Sequence, residues 1–255
     1  MKKVYWNGRF LDETEACLPL SDPAVMYGLG AFTTVKVFEG VPEYLDLHLE
    51  RLASHCAALN IPKPDIKQDV VDHYIALQGA KMACWRLKIM ATATHLGMTL
   101  QPYSAPTVSS YRLCVYPEPV MRPTARLKSL SYLDRWWIKD YAQKQGCDEA
   151  VVVDGEDNIL ETAFGNIYWR LGNRLFLPDL TLPLLVGVGL QVVMQKARDM
   201  QQEIHQVRAK LQDIPNDAQV YVCNALTGSI PVREIARSAL ECGGSATAFQ
   251  FDASS

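Results

Sequence analysis

Long apolar runs are missing from this 255-residue chain. None approaches the roughly 20 consecutive residues that a membrane-spanning helix needs, so no membrane partner is expected. Cysteine is sparse and scattered: residues 17, 56, 84, 114, 147, 223 and 242 stand singly, without CxxC spacing. That pattern supports neither a disulfide framework nor a zinc cage. The five histidines, at 48, 55, 73, 95 and 205, add no ligand spacing, and no metal site is predicted. Charge of one sign is not in excess either, with 25 Lys and Arg against 28 Asp and Glu, a net −3. Nucleic-acid binders carry a basic surplus to neutralise phosphates, so no nucleic-acid partner is expected. The start, Met1-Lys2-Lys3-Val4-Tyr5-Trp6-Asn7-Gly8, meets a turn before an apolar signal core can form. With thiols used as small apolar residues, the expectation is a cytoplasmic protein.

Common catalytic and nucleotide signatures are absent too. Tyr27-Gly28-Leu29-Gly30 contains GxG, but the third glycine of a dinucleotide fingerprint would fall at Thr33, and the residues that follow read as strand. There is no P-loop, no HExxH and no GxSxG, and nothing in the spacing supports a serine–histidine–aspartate triad.

What is present is a globular composition, 49% hydrophobic and 21% charged, which excludes a wholly disordered chain. Asn7-Gly8 inside Val4–Leu11 predicts a hairpin, since this pair supplies the two positive-φ positions of a tight turn. A strand is expected at Ala31–Glu39. Apolar residues at 45, 49, 52, 56 and 59 recur at helical spacing up to Pro62. A second helix is expected at Gln68–Gln78, and strands at Trp85–Thr92 and Tyr111–Tyr116. Pro117-Glu118-Pro119-Val120-Met121-Arg122-Pro123 is rich in proline, which resists both helix and central strand, and reads as a linker.

Beyond it come a helix, Leu130–Gln145, closed by Gly146, and a hairpin of Ala150–Val153 with Asn158–Glu161. A second hairpin turns at Leu171-Gly172-Asn173, followed by a helix at Leu190–Gln202 and a strand at Gln219–Cys223. The expectation is an α+β chain: a small N-terminal α/β domain, 1–116, a linker, 117–124, and a larger C-terminal domain, 125–255. A cleft between two such layers is a common ligand site.

Four segments, in order, resemble the branched-chain aminotransferase-like enzymes of fold type IV, which use pyridoxal 5′-phosphate (PLP). The first is Ser21-Asp22-Pro23-Ala24-Val25-Met26-Tyr27-Gly28-Leu29-Gly30-Ala31-Phe32-Thr33-Thr34, followed by His48-Leu49-Glu50-Arg51-Leu52. The second runs from Leu127-Lys128-Ser129-Leu130-Ser131-Tyr132-Leu133 to Gly146-Cys147-Asp148-Glu149-Ala150. The third is Glu161-Thr162-Ala163-Phe164-Gly165-Asn166-Ile167-Tyr168. Gly187-Val188-Gly189-Leu190, Cys223-Asn224-Ala225-Leu226 and Pro231-Val232 make the fourth. Together they cover nearly the whole chain, and their order and spacing carry the resemblance. It implies a two-domain, D-amino acid aminotransferase-like fold, PLP in the interdomain cleft, and a homodimer.

The resemblance also implies roles. Lys128 holds the cofactor covalently and shuttles protons, work that requires a free amine. Glu161 keeps the cofactor ring nitrogen protonated, as a carboxylate does by charge pairing. Arg51 binds the phosphate, whose oxygens suit a planar guanidinium fork. Val188 and Gly189 offer backbone N–H groups to the phosphate at a helix N-terminus; many relatives have threonine where Gly189 stands. Tyr132 matches a tyrosine near the cofactor's phenolic oxygen, with core packing as the equal alternative, and Asn166 reads as a brace. Ser131 replaces an asparagine frequent in the family.

On activity, the group holds branched-chain and D-amino acid aminotransferases and aminodeoxychorismate lyase. Phe32-Thr33-Thr34 and Asn224-Ala225-Leu226 resemble the lyase, and aminotransferases tend to carry glutamate at the position of Thr33. The implied reaction is 4-amino-4-deoxychorismate to 4-aminobenzoate and pyruvate, a folate-synthesis step, with branched-chain or D-amino acid transamination as the alternative. Thr33 or Thr34 is a candidate to hydrogen-bond the substrate; both equally suit strand packing. After Leu87-Lys88-Ile89-Met90 relatives usually carry Arg-Gly, and this chain reads Ala91-Thr92-Ala93-Thr94-His95-Leu96-Gly97. Candidates to hold substrate carboxylates are therefore Arg86, Lys88, His95 or a residue from a partner subunit.

Overall fold

The computed structural model describes residues 3–80, 84–236 and 248–250. Cys242 and most of the Ser/Ala/Gly-rich tail lie outside the described residues. The chain divides into two units, Met1–Ala105 with Leu127–Tyr132, and Pro106–Arg126 with Leu133–Ser255.

In the first unit, β1 (Lys3–Trp6) and β2 (Arg9–Asp12) form the expected hairpin. Asn7 and Gly8 take φ of 47° and 85° at its turn, the positive values such turns require. Then follow α1 (Pro23–Tyr27), β3 (Gly30–Phe38), β4 (Val41–Pro42), α2 (Leu45–Ala58), α3 (Gln68–Leu77), β5 (Cys84–Thr92) and β6 (Leu96–Pro102). The six strands make one sheet in the order β2-β1-β6-β5-β3-β4, antiparallel throughout. Strand β6 was not anticipated, because Gly97 interrupts its alternation.

Strand side chains alternate between faces. Val35, Val37, Leu87 and Ile89 form one core with Leu45, Leu52 and Cys56 of α2 and Val71, Tyr74 and Ile75 of α3. Leu49 and Leu59 of the expected stripe are partly buried beside it. Strand β4 pairs only with Val37 and Phe38, which leaves the Gly30–Phe32 edge of β3 open. Residues 128–130 take that edge: Phe32 N donates to Lys128 O at 2.9 Å and Leu130 N to Gly30 O at 2.8 Å.

The second unit contains β7 (Tyr111–Val115), α4 (Leu133–Lys144), β8 (Glu149–Val153), β9 (Ile159–Thr162), β10 (Asn166–Leu171) and β11 (Arg174–Pro178). It continues with α5 (Val188–Asp199), β12 (Glu203–Val207), β13 (Gln219–Asn224), β14 (Gly228–Ala236) and β15 (Ala248–Gln250). Among the described residues the strands run β12-β11-β10-β13-β14-β7-β8-β9, with β15 also on β14. The β11–β12, β14–β7 and β7–β8 pairs are parallel. Ile138 and Ala142 of α4 pack into one core cluster, and Leu190, Met194 and Ala197 of α5 into another with Tyr168 and Leu177.

Three expectations are corrected here. The boundary at 117–124 is not where the units divide. Strand β7 belongs to the second unit's sheet, and the proline-rich stretch stays with it, Val120 N donating to Val153 O at 2.8 Å. Helix α4 starts at Leu133 rather than Leu130, because Ser129 and Leu130 are committed to the β3 edge. Helix α5 runs Val188–Asp199, two residues earlier at its start than expected. Strand β14 was hidden by Pro231, which lacks an N–H. It sits where β14 passes from pairing with β13 to pairing with β7, so the missing donor falls at the change of partner.

Gly28 ends α1 at φ 68°, and a Cβ there would lie 2.8 Å from the Ser131 backbone. Both the left-handed backbone and the close approach demand glycine. Gly28→Ala is therefore expected to cost about 2 kcal/mol or more, read as a fall of several degrees in melting temperature; an unchanged melting curve would contradict the packing of 127–132 described here.

Candidate active site

Lys128 is fixed by its backbone first. Besides the β3 edge bonds, its N–H donates to His55 Nδ1 at 3.1 Å. Its Nζ donates to the Tyr132 hydroxyl at 3.0 Å and lies 4.7 Å from the Phe32 ring centroid and 4.9 Å from that of Tyr132. Those two rings meet edge to face at 5.1 Å. The electron-rich faces hold an ammonium without neutralising it. Tyr132 thus contacts the Lys128 amine directly.

His48, Arg51 and His55 stand at helical spacing on one side of α2. Arg51 Nη2 donates to Thr33 Oγ1 at 2.9 Å, and Thr33 Oγ1 lies 2.7 Å from His48 Nδ1. A guanidinium only donates, so the Thr33 hydroxyl accepts from Arg51 and gives its own proton to His48. Burial, then the Arg51 and Lys128 charges, lowers His48 to about 3; the same causes lower His55 to about 4. Both imidazoles are neutral acceptors at Nδ1. Thr33 is fully buried, at 0% exposure. It faces α2, whereas Phe32 and Thr34 point to the other side of β3. Thr33 as a substrate contact is therefore corrected: its hydroxyl is spent in holding Arg51.

Burial lowers the Arg51 guanidinium to about 10, so it remains charged at neutral pH. Among the described residues no carboxylate pairs with it, and its buried Nε has no partner. A buried cation lacking a counter-charge is costly unless an anion arrives. Arg51 therefore fits a phosphate.

In the second unit, Glu161 is buried against Arg135 of α4. Its Oε1 also accepts from Leu185 N at 3.3 Å. Burial pushes this carboxyl above its ordinary value, and Arg135 pulls it back. Asn166 grips the same segment, Nδ2 donating to Leu185 O at 2.7 Å and Oδ1 accepting from Gly187 N at 3.1 Å. Glu161 and Asn166 together set the loop that opens α5, whose Gly187 N-cap supplies no side-chain cap. The first amides of α5, at Val188 and Gly189, are thus left for an anion.

A Cβ on Gly189 would fall 2.7 Å from the Asn224 backbone, which explains why threonine is not found here. The Asn224 side chain is engaged locally, accepting from Leu226 N and Thr227 N at 2.9 Å each. Ala225 and Leu226 are half-buried in the turn between β13 and β14.

Sequence reasoning missed Phe32, His48, His55 and Arg135 as site residues. Spacing held a signal for three: His48 and His55 share the buried side of α2, and Arg135 repeats with Ile138 and Ala142 on α4. For Phe32 only the strand alternation was available.

The fold is that of fold type IV aminotransferases. Residues 30–235 match the family model for amino-transferase class IV, and the chain belongs to that family. It is 28% identical to an aminodeoxychorismate lyase of Bacillus subtilis (strain 168) over 91% of this chain and 86% of the relative. It is 22% identical to a D-alanine aminotransferase of Bacillus licheniformis over 91% and 88%. A branched-chain aminotransferase from Thermoproteus uzoniensis with norvaline superposes with a TM-score of 0.84 at 19% identity, covering 92% and 87%. A hypothetical aminotransferase from Mycobacterium tuberculosis in its PLP-bound form gives 0.82 at 18%, covering 91% and 90%. Among the described residues, no helix is long and apolar enough to cross a membrane.

Two outcomes follow from this geometry. Gly189→Thr should lower the melting temperature by several degrees, since the Asn224 backbone must move; a neutral effect would contradict the close approach. Below about 6.5 the unfolded chain binds protons at His48 and His55 that the folded chain refuses until about 3 and 4. Acidification from pH 6.5 should thus reduce stability, by up to about 1.4 kcal/mol per pH unit for each histidine. Imidazole NMR signals of both should keep their neutral-form shifts at pH 5, and protonation of either above that pH would contradict the assignment.

Proposed function

We propose that this protein is a PLP-dependent 4-amino-4-deoxychorismate lyase that forms 4-aminobenzoate and pyruvate for folate synthesis in the cytoplasm. The observation that carries the reading is the Lys128 amine, backbone-anchored and held by the Tyr132 hydroxyl at 3.0 Å. The choice of lyase is supported by the similarity to the Bacillus subtilis enzyme over 91% of the chain. It is also supported by Thr33, a neutral hydroxyl that leaves the Arg51 charge unopposed.

Lys128 would carry the cofactor, Arg51 and the amides of Val188 and Gly189 would hold its phosphate, and Glu161 would keep its ring nitrogen protonated, with Asn224, Ala225 and Leu226 as further cofactor-binding candidates. When bound, PLP supplies an electron sink for negative charge at the carbon next to nitrogen. Lys128 Nζ is the base: it takes the proton from the substrate ring carbon that bears nitrogen and returns one to the methylene carbon of the departing enolpyruvate. Phe32 and Tyr132 limit where that amine can swing, which keeps it near both carbons. The Arg135 guanidinium holds the Glu161 carboxylate in place, and aromatisation of the substrate ring drives the elimination.

A homodimer is proposed as well. Leu133, Trp136 and Trp137 on α4 are 59%, 56% and 55% exposed in the single chain, the kind of apolar patch that interfaces cover. Sedimentation at micromolar concentration should give twice the monomer mass.

The second reading, transamination of branched-chain or D-amino acids, is favoured by the similarity to the D-alanine aminotransferase. Incubation of the holoenzyme with aminodeoxychorismate should release 4-aminobenzoate and pyruvate, and Lys128→Ala should lose at least about a thousandfold in rate. Borohydride reduction should leave the label on Lys128. Glutamate formation from amino acids and 2-oxoglutarate, without 4-aminobenzoate from aminodeoxychorismate, would replace the lyase by the second reading.

A further inference from the structure

The Lys128 backbone and the Arg51 guanidinium are tied to the same helix. Phe32 N donates to Lys128 O at 2.9 Å, and the Lys128 N–H donates to His55 Nδ1 at 3.1 Å. Thr33, the residue after Phe32, accepts from Arg51 Nη2 at 2.9 Å. Arg51 and His55 stand one turn apart on α2, and side chains four residues apart on a helix are neighbours. The contacts therefore close on themselves: Lys128 to Phe32, Thr33 to Arg51, one turn of α2 to His55, and His55 back to Lys128.

The α2 side of this circuit is anchored. Leu52 and Cys56, both at 0% exposure, seat that turn of the helix in the core of the first unit, and His55 itself is buried. Its imidazole accepts at Nδ1, so the ring proton sits on Nε2. Burial, then the Arg51 and Lys128 charges, favours this neutral form. An imidazolium carries N–H at both positions and could not accept from Lys128. A lysine amine ends a flexible four-carbon stem, so its position is only as definite as the backbone it extends from. His55 holds the Lys128 N–H and β3 its carbonyl, and both backbone groups are fixed before the side chain begins.

We propose that His55 is a positioning residue: its Nδ1 acceptor sets the Lys128 amine at a fixed offset from Arg51, and so aligns the reacting group with the anion that Arg51 holds. The proposal rests on the reading of Lys128 as the reacting amine. His55 acts through the Lys128 backbone, and a misplacement of about 1 Å can cost a hundredfold in rate. Loss of the acceptor is therefore expected to act on turnover and to spare binding.

The test compares wild type with His55→Asn, His55→Gln, His55→Leu and Lys128→Ala. Asparagine carries an acceptor oxygen at the place of Nδ1, glutamine carries one a bond further out, and leucine carries none. In cofactor-free protein, hydrogen exchange of the Lys128 amide, followed by NMR on lysine-labelled chains, should quicken about tenfold or more in the glutamine and leucine variants. The asparagine variant should stay within about threefold of wild type. In the holoenzyme, the glutamine and leucine variants should lose about ten- to a hundredfold in kcat, with KM for aminodeoxychorismate within about threefold of wild type. The asparagine variant should recover most of that loss.

An asparagine variant as slow as the glutamine one overturns the proposal, as does a glutamine variant with wild-type kcat or wild-type exchange at Lys128. That comparison stands even if the leucine variant does not fold. A loss confined to KM overturns it too. An active Lys128→Ala overturns the reading of Lys128 and the proposal with it, whereas an inactive one beside a flat histidine series overturns the role of His55 alone. If the wild type transaminates instead, the lyase reading fails, and the same split between kcat and KM is then expected in transamination.

Discussion

The edge of β3 between Gly30 and Phe32 is the constraint on which the site depends. Short β4 leaves that edge uncovered, and an uncovered edge presents backbone donors and acceptors that must be satisfied. Residues 128–130 satisfy them, and Lys128 thereby acquires a fixed backbone position, reinforced by His55. Only then can a flexible side chain place its amine reproducibly against Phe32 and Tyr132. The tight fit of Gly28 against the Ser131 backbone belongs to the same arrangement.

Charge is distributed differently in the two units. In the second, buried Arg135 pairs with Glu161, and half-buried Lys139 pairs with buried Glu149. In the first, Arg51 is held by the Thr33 hydroxyl and Lys88 by the Phe32 ring face, and neither pairs with a carboxylate among the described residues. Hydroxyls and rings orient a cation while leaving its field intact. Such a surplus of positive charge, in partly dry surroundings, suits phosphate and carboxylate groups. Neutral His48 and His55 fit the same economy, since protonating either would add repulsion to an already positive neighbourhood.

Where the pattern was local, it was legible. Asn7-Gly8 announced its hairpin, α2 and α3 followed their apolar spacing, and the turn at Gly172 joined β10 to β11 as expected. Elements that rely on distant partners were less readable. Strand β7 looked like the end of an N-terminal domain because its parallel neighbours, β8 and β14, come later in the chain. Gly97 and Pro231 masked β6 and β14, as both residues argue against strand until the partner at each position is known.

Among the site residues, the sequence by itself determined the candidates: Lys128, Arg51, Glu161, Tyr132 and the Val188-Gly189 pair all came from ordered motifs. It could not decide what each side chain touches. Thr33 and Thr34 are adjacent and alike, yet strand alternation sends one to Arg51 and His48 and the other to the face of Phe32 and Lys88. Arg135 shares a side of α4 with Ile138 and Ala142, but only the fold set it against Glu161. Contacts of this kind join residues tens of positions apart through pairing register and burial, which local composition does not encode, and so they were decided by tertiary structure alone.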